Sequence, residues 1–217
     1  MKYKALLLVA CLMFTLGACI NDSGINGRGA IVMESRPVVT FTSIRAGLPA
    51  NIIISQEPEP SLRIETHENV LEAIDSYVLD GELILEFNRN VRNLDRLNIY
   101  VSSEDYENIR LSGAANISTE GCLAVDDLQV TLSGAGNLDF CGTADLLDVS
   151  ISGAGNFRGF DMVAQTVEAR VSGAGSMRVT AEQVLDVNIS GAGSIYYRGN
   201  PQINSEISGA GSLIDAN

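Results

Sequence analysis

The chain has 217 residues, with 27 acidic and 14 basic side chains, one His, four Cys, no Trp and 21 Gly. A formal charge of −13 argues against a nucleic-acid partner, because phosphates need a basic footprint. A hydrophobic share of 46% is too high for a disordered chain, and a single His leaves little for a His-based metal site.

At the start, Lys2 and Lys4 precede an apolar run from Ala5 to Leu16, interrupted only by Thr15. That run is shorter than the roughly 20 residues that span a bilayer, and has the order of a secretory signal. Leu16-Gly17-Ala18-Cys19 resembles the lipobox of bacterial lipoproteins. The resemblance implies cleavage before Cys19, which becomes the acylated N-terminal residue and the membrane anchor. Ile20 stands where an Asp would resemble an inner-membrane retention signal, so outer-membrane sorting in a Gram-negative envelope is expected. Loss of residues 1–18 leaves 12 basic against 27 acidic side chains, a balance of −15. The run Asn21 to Gly29 is polar and glycine-rich and reads as a flexible tether, so residues 19–29 are assigned to it.

Residues 30–108 are expected to form a β-rich region that caps the C-terminal half of the chain. Val38 to Phe41, Asn51 to Ser55 and Leu62 to Glu65 read as short strands. Asn69 to Asp75 reads as two helical turns, with Asn69 as cap, Glu72 completing a capping box, and Val70, Leu71 and Ile74 inward. His67 is placed at the surface beside that helix. Asp80-Gly81 predicts a tight hairpin between Tyr77-Val78-Leu79 and Glu82 to Phe87, with Leu83, Leu85 and Phe87 on one face. Leu97 to Val101 reads as the next strand.

Residues 109–217 repeat. Ser133-Gly134-Ala135-Gly136 recurs as Ser152-Gly153-Ala154-Gly155, Ser172-Gly173-Ala174-Gly175, Ser190-Gly191-Ala192-Gly193 and Ser208-Gly209-Ala210-Gly211. A variant, Ser112-Gly113-Ala114-Ala115, precedes them, and successive copies start 21, 19, 20, 18 and 18 residues apart. Apolar residues alternate before each serine, as in Leu128, Val130 and Leu132 or Leu147, Val149 and Ile151. After each corner come Asn116, Asn137, Asn156, Ser176, Ser194 and Ser212, each followed by an apolar residue. A period of two with a glycine corner every 18 to 21 residues suits one coil of a β-solenoid, whose coils share a core by stacking. The fold class expected is all-β: a right-handed parallel β-helix-like solenoid behind an N-terminal β-rich cap. Little chain remains after Gly211 to cover the last coil, so that coil is expected either to be blunted by its polar residues or to pack on a partner.

Chemistry is sparse. The SGAG copies lack the Lys or dinucleotide spacing of a phosphate loop, and His67 lies outside the repeats, so six equivalent serines read as structural. Asp148, Glu168 and Asp186 share one outward register, with Gln129 and Asn204 at its ends. One ladder of carboxylates is thin for Ca²⁺, which takes six to eight oxygens, and a solvated face is the simpler reading. Arg170 and Arg178 are likewise read as solvated. No cofactor and no metal are expected. Cys122 and Cys141 each stand 11 residues before a repeat serine, which places them on adjacent coils. A coil-to-coil disulfide and two buried thiols both remain open.

The exported SGAG-Asn/Ser repeat, the run Phe41 to Ser55 and the segment Asp80-Gly81-Glu82-Leu83 together resemble the putative auto-transporter adhesin, head GIN domain family, over about residues 38–214. The chain departs from that pattern at Ala115 and at Arg158-Gly159-Phe160. The resemblance implies a β-helical envelope protein or lipoprotein and supplies no catalytic residues. The expected function is therefore a non-enzymatic, lipid-anchored adhesin or surface-binding scaffold, a monomer or weak dimer that meets a surface protein or glycan. The rival is a polysaccharide-active β-helix that uses outward acids.

Overall fold

The computed structural model describes residues 24–217. The expected signal peptide, Cys19 and the first part of the expected tether lie outside the described residues. The remainder is all-β and mostly parallel, a β-solenoid with an N-terminal cap region. In chain order the strands begin with β1 (Ile25–Asn26), β2 (Ile31–Arg36), β3 (Ser43–Ala46), β4 (Asn51–Gln56) and β5 (Ser61–His67). A short helix α1 (Glu68–Leu71) leads into β6 (Ile74–Leu79), β7 (Glu82–Phe87), β8 (Val91–Arg92) and β9 (Leu97–Ser103). Next come β10 (Asn108–Gly113), β11 (Asn116–Thr119), β12 (Leu123–Ala124) and β13 (Asp127–Gly134). Three long strands, β14 (Asn137–Gly153), β15 (Asn156–Gly173) and β16 (Ser176–Gly191), precede β17 (Ser194–Arg198), β18 (Gln202–Gly209) and β19 (Ser212–Asp215).

Each long strand is most of one coil. Its first half joins a trailing sheet, which lies after the glycine corner, and its second half joins a leading sheet, which runs into the next corner. In the leading sheet the neighbours run β6, β7, β3, β10, β13, β14, β15, β16, β18. In the trailing sheet they run β2, β5, β9, β4, β11, β14, β15, β16, β17, β19. Within these sheets the pairs β2–β5, β5–β9 and β6–β7 are antiparallel and form the cap side. The level made by β3 and β4 is out of chain order. It lies between β7 with β9 on one side and β10 with β11 on the other.

The alternating residues face inward as a period of two requires. Val130, Leu132, Leu147, Val149, Val167, Leu185 and Ile189 are all buried, as are Ile117, Leu138, Phe157, Met177 and Ile195 across the core. Phe140 and Phe157 stack on neighbouring levels with ring centroids 5.6 Å apart. The core thins at the far end, where Ile203 and Ile207 in β18 are 37% and 43% exposed.

The corners explain the SGAG motif. The Ala154 N–H donates to the Gly134 carbonyl one level back at 3.0 Å, and the Asn156 N–H donates to that of Gly136 at 2.8 Å. The chain therefore stays hydrogen-bonded to its neighbour even while turning. Gly153 has φ +127°, and a Cβ there would fall 2.4 Å from the Gly134 oxygen. At Gly136 a Cβ would lie 1.9 Å from the Ala115 oxygen. Both positions exclude any side chain, one by conformation and contact, the other by contact alone.

Several expectations for the cap need correction. Val38 to Phe41 is not a strand. Phe41 is buried, but its carbonyl is satisfied by the Ser103 hydroxyl at 2.5 Å rather than by a ladder. The helix is one turn, capped at His67 without a side-chain bond, and Ile74 already belongs to β6. Asn69 does not cap it. Its Oδ1 accepts the Arg28 N–H at 2.9 Å and its Nδ2 donates to the Asn26 carbonyl at 2.8 Å. From Gly24 onward the polar segment is thus held in place, with Ile25–Asn26 paired to Val91–Arg92, and is not a free tether. The Asp80-Gly81 hairpin forms as expected, both residues at positive φ, and Leu83 and Leu85 are buried while Phe87 is partly so.

Candidate functional site

The six repeat serines, Ser112, Ser133, Ser152, Ser172, Ser190 and Ser208, are exposed at the mouth of the corners. Their glycine partners at the second position all have positive φ, and Gly136, Gly155, Gly175 and Gly193 at the fourth position are buried. These residues shape the backbone.

Beside the corner runs a polar ladder. The Asn51 Nδ2 donates to Asn98 Oδ1 at 3.2 Å, Asn116 to Asn51 at 3.1 Å, Asn137 to Asn116 at 3.1 Å, and Asn156 to Asn137 at 3.2 Å. The Ser176 hydroxyl ends this run on Asn156 Oδ1 at 2.7 Å. Asn51 and Asn98 were not recognised as members from sequence. The signal was there in Ala46-Gly47-Leu48-Pro49-Ala50-Asn51, a corner of the same length whose ends pair with Leu111 and Asn116 without keeping the motif's letters.

The outward face of the leading sheet carries the acid ladder. Gln129, Asp148, Glu168, Asp186 and Asn204 are paired level to level in that order. Arg170 is not free in solvent. Its guanidinium donates to Asp148 Oδ1 at 2.6 Å and also contacts Glu168, so one cation bridges carboxylates on two levels. Those carboxylates hold the Arg170 guanidinium above its ordinary pKa. Glu168, Arg170, Asp186 and Glu206 line an open depression of about 390 Å³. Among the described residues no group of three or more His, Cys, Asp or Glu side chains is arranged to hold a metal ion.

The outward face of the trailing sheet is different. Ser118, Asp139, Arg158, Arg178, Tyr196 and Ile214 form one ladder. Arg158 pairs with Asp139 at 3.0 Å, while Arg178 lies 5.5 Å from the centre of the Tyr196 ring. The register slips between Gly159 and Val163, which turns the departure at Arg158-Gly159-Phe160 into a bulge. Phe160 there is half-buried, with the Arg198 guanidinium 4.0 Å from its ring centre. A depression of about 480 Å³ on this face is lined by residues including Ser118, Asp139, Phe160, Asp161 and Arg178. Cys141 is at its edge and is joined to Cys122 on the adjacent level, the Cα atoms 4.5 Å apart.

His67 sits at the cap. Its Nε2 meets Asp95 Oδ1 at 2.6 Å and its Nδ1 meets the Gly29 carbonyl at 3.1 Å. The Asp95 bond and then the Gly29 bond raise the His67 pKa. The same contact with His67 lowers that of Asp95.

Solved structures share this architecture. A putative adhesin from Bacteroides fragilis is 25% identical, with a TM-score of 0.74, covering 89% of this chain and 100% of that one. A putative lipid binding protein from Parabacteroides distasonis is 21% identical, with a TM-score of 0.57, covering 90% and 100%. A putative adhesin from Parabacteroides merdae is 18% identical, with a TM-score of 0.56, covering 89% and 99%. No curated protein matches. The family model described as putative auto-transporter adhesin, head GIN domain, matches residues 40–201, and the chain belongs to that family.

Proposed function

We propose that the protein is a non-enzymatic, lipid-anchored envelope component whose stacked coils present extended binding faces as an adhesin or surface scaffold. The observation that carries this reading is the pair of outward ladders that continue level after level on both sheets. Such surfaces are made for extended partners. Asp148 and Glu168 of the leading sheet are tied up by Arg170 rather than paired across a cleft, which disfavours the polysaccharide-cleaving alternative. The family's description and the adhesin named in B. fragilis support the same reading.

In this proposal Cys19 carries the acyl chains, the outer membrane of a Gram-negative envelope holds the anchor, and the body acts as a monomer or weak dimer facing a surface protein or glycan. Acyl labelling and fractionation test the anchor, since Cys19→Ser should lose label and leave the membrane fraction. A screen of the acyl-free protein against glycans and envelope proteins tests the binding role. Polysaccharide hydrolysis, or no ligand of any class, would overturn it.

A further inference from the structure

Five basic residues fall between Asn108 and Asn217, all of them arginine: Arg110, Arg158, Arg170, Arg178 and Arg198. Arg110, Arg158 and Arg170 are each ion-paired. Arg178 and Arg198 contact aromatic rings and have no carboxylate partner among the described residues, in a chain with a large acidic excess. Both are on the trailing sheet, where Arg178 is also the direct cross-strand neighbour of Arg158. Like charges directly opposite one another weaken a sheet. Asp139 compensates Arg158, and Arg178 has nothing equivalent. An anion arriving from outside would relieve that pairing.

The surroundings define what kind of anion. The bulge after Gly159 brings Phe160 to the surface of the sheet, as bulges do when they re-aim a side chain. Phe160 and Tyr196, both half-buried, each lie under a guanidinium, that of Arg198 4.0 Å and that of Arg178 5.5 Å from the ring centre, which holds the two forks on the face of the sheet. Arginine, tyrosine and phenylalanine are also the residues enriched where proteins bind partners. Asp139 and Asp161 line an open depression together with Phe160 and Arg178. Two carboxylates there repel a multiply charged group such as a phosphate but accept hydrogen bonds from hydroxyl groups. Forks held in place for a carboxylate and acceptors for hydroxyls together describe one ligand chemistry. The levels repeat at about 4.8 Å, a rise comparable to one sugar ring in an extended chain.

We infer that the trailing-sheet face around Arg178, Arg198, Phe160 and Tyr196 is a binding site for a uronate-bearing polysaccharide. The inference deepens the proposed binding role and rests on it. An acidic polypeptide is the competing occupant, and it has no use for the hydroxyl-accepting acids.

The test is titration of the intact protein, in mild detergent, with polygalacturonate, neutral dextran and polyglutamate. Polygalacturonate should bind, and Arg178→Ala and Arg198→Ala should each weaken it about tenfold, the loss of one charge-assisted bond. Arg170→Ala, on the opposite sheet, should change it by less than about twofold. Both trailing-sheet arginines are surface residues, and an unchanged melting temperature verifies that each variant folds. Equal binding of polyglutamate overturns the ligand class, and loss of binding in Arg170→Ala but not Arg178→Ala overturns the site. No binding of polygalacturonate by folded protein overturns the inference as a whole. It leaves the wider binding role intact if the glycan and envelope-protein screen returns another ligand.

Discussion

Asn116 and Asn137 are joined by two bonds across one level. A single oxygen, Asn116 Oδ1, accepts the backbone N–H of Asn137 at 3.0 Å and its side-chain Nδ2 at 3.1 Å. The ladder therefore locks side chain to main chain as well as side chain to side chain. Asn116→Ala leaves both donors of a half-buried residue without that acceptor and should cost about 1–3 kcal/mol. Asn137→Asp cannot donate to Asn116 and presents oxygen to oxygen there, but it keeps the acceptor used by Asn156 and Arg158. Asn137→Ala loses both sides of the ladder, so Asp should fall between the wild type and Ala. Urea unfolding of the three variants ranks them; an Asp as stable as the wild-type Asn would contradict the ladder.

Gly153→Ala meets both a left-handed φ and a carbonyl of the preceding level. It should lose at least about 2 kcal/mol, whereas Ala at the exposed Ser152 should stay within about 0.5 kcal/mol. The contrast between adjacent positions of one motif, read by thermal melting, separates backbone demand from side-chain chemistry.

Cys122 and Cys141 are 19 residues apart and close a loop of one coil. Reduction, or replacement of both by Ser, should lower stability by about 3 kcal/mol through the freedom returned to the unfolded chain. Denaturation with and without reductant measures it. Because Cys141 also edges the trailing-face depression, ligand titration of the reduced protein shows whether that face depends on the bridge.

The His67–Asp95 contact makes stability depend on pH. The folded His67 pKa is raised by Asp95, with Arg96 opposing, so the charged imidazole is favoured in the native state. Its contribution is fully present below the unfolded His value near 6.5 and is lost as pH rises through the folded value. Asp95, whose pKa is lowered, contributes above its unfolded value and loses that contribution as pH falls through its folded one. Melting temperatures between about pH 5 and 9 should therefore decline on the alkaline side more in the native protein than in Asp95→Asn. Parallel curves would show that the pair does not contribute.

The repeat made the solenoid legible. Once Leu128, Leu147, Val167 and Leu185 shared a register, burial, level pairing and the corner all came from period and spacing. The cap was harder, because its determinants are partners distant in the chain. Nothing local to Val38-Val39-Thr40-Phe41 says that a serine 62 residues away will take the Phe41 carbonyl. Asn69 looks like a cap by its neighbours, yet its side chain is spent on residues 26 and 28. The arginines failed for a related reason. Arg170 and Arg178 look alike in sequence, and only the register shows that one meets two acids and the other a tyrosine. The acid ladder itself was visible, but the bridging of Asp148 and Glu168 by Arg170 was not.

The out-of-order level formed by β3 and β4 imposes a schedule on a chain that is synthesised from its N-terminus. Ser43 to Gln56 cannot be enclosed on both sides until Asn108 to Thr119 has arrived, a span that must first loop out through β5, α1 and β6 to β9. Closing that excursion costs more chain entropy than adding any later coil. Every later coil, by contrast, finds a finished edge waiting and needs fewer than about two dozen residues to zip on. Assembly is thus all-or-none at the start and stepwise afterwards, so truncation from the C-terminal side should shorten the molecule coil by coil, whereas a cut before Thr119 should leave no template at all.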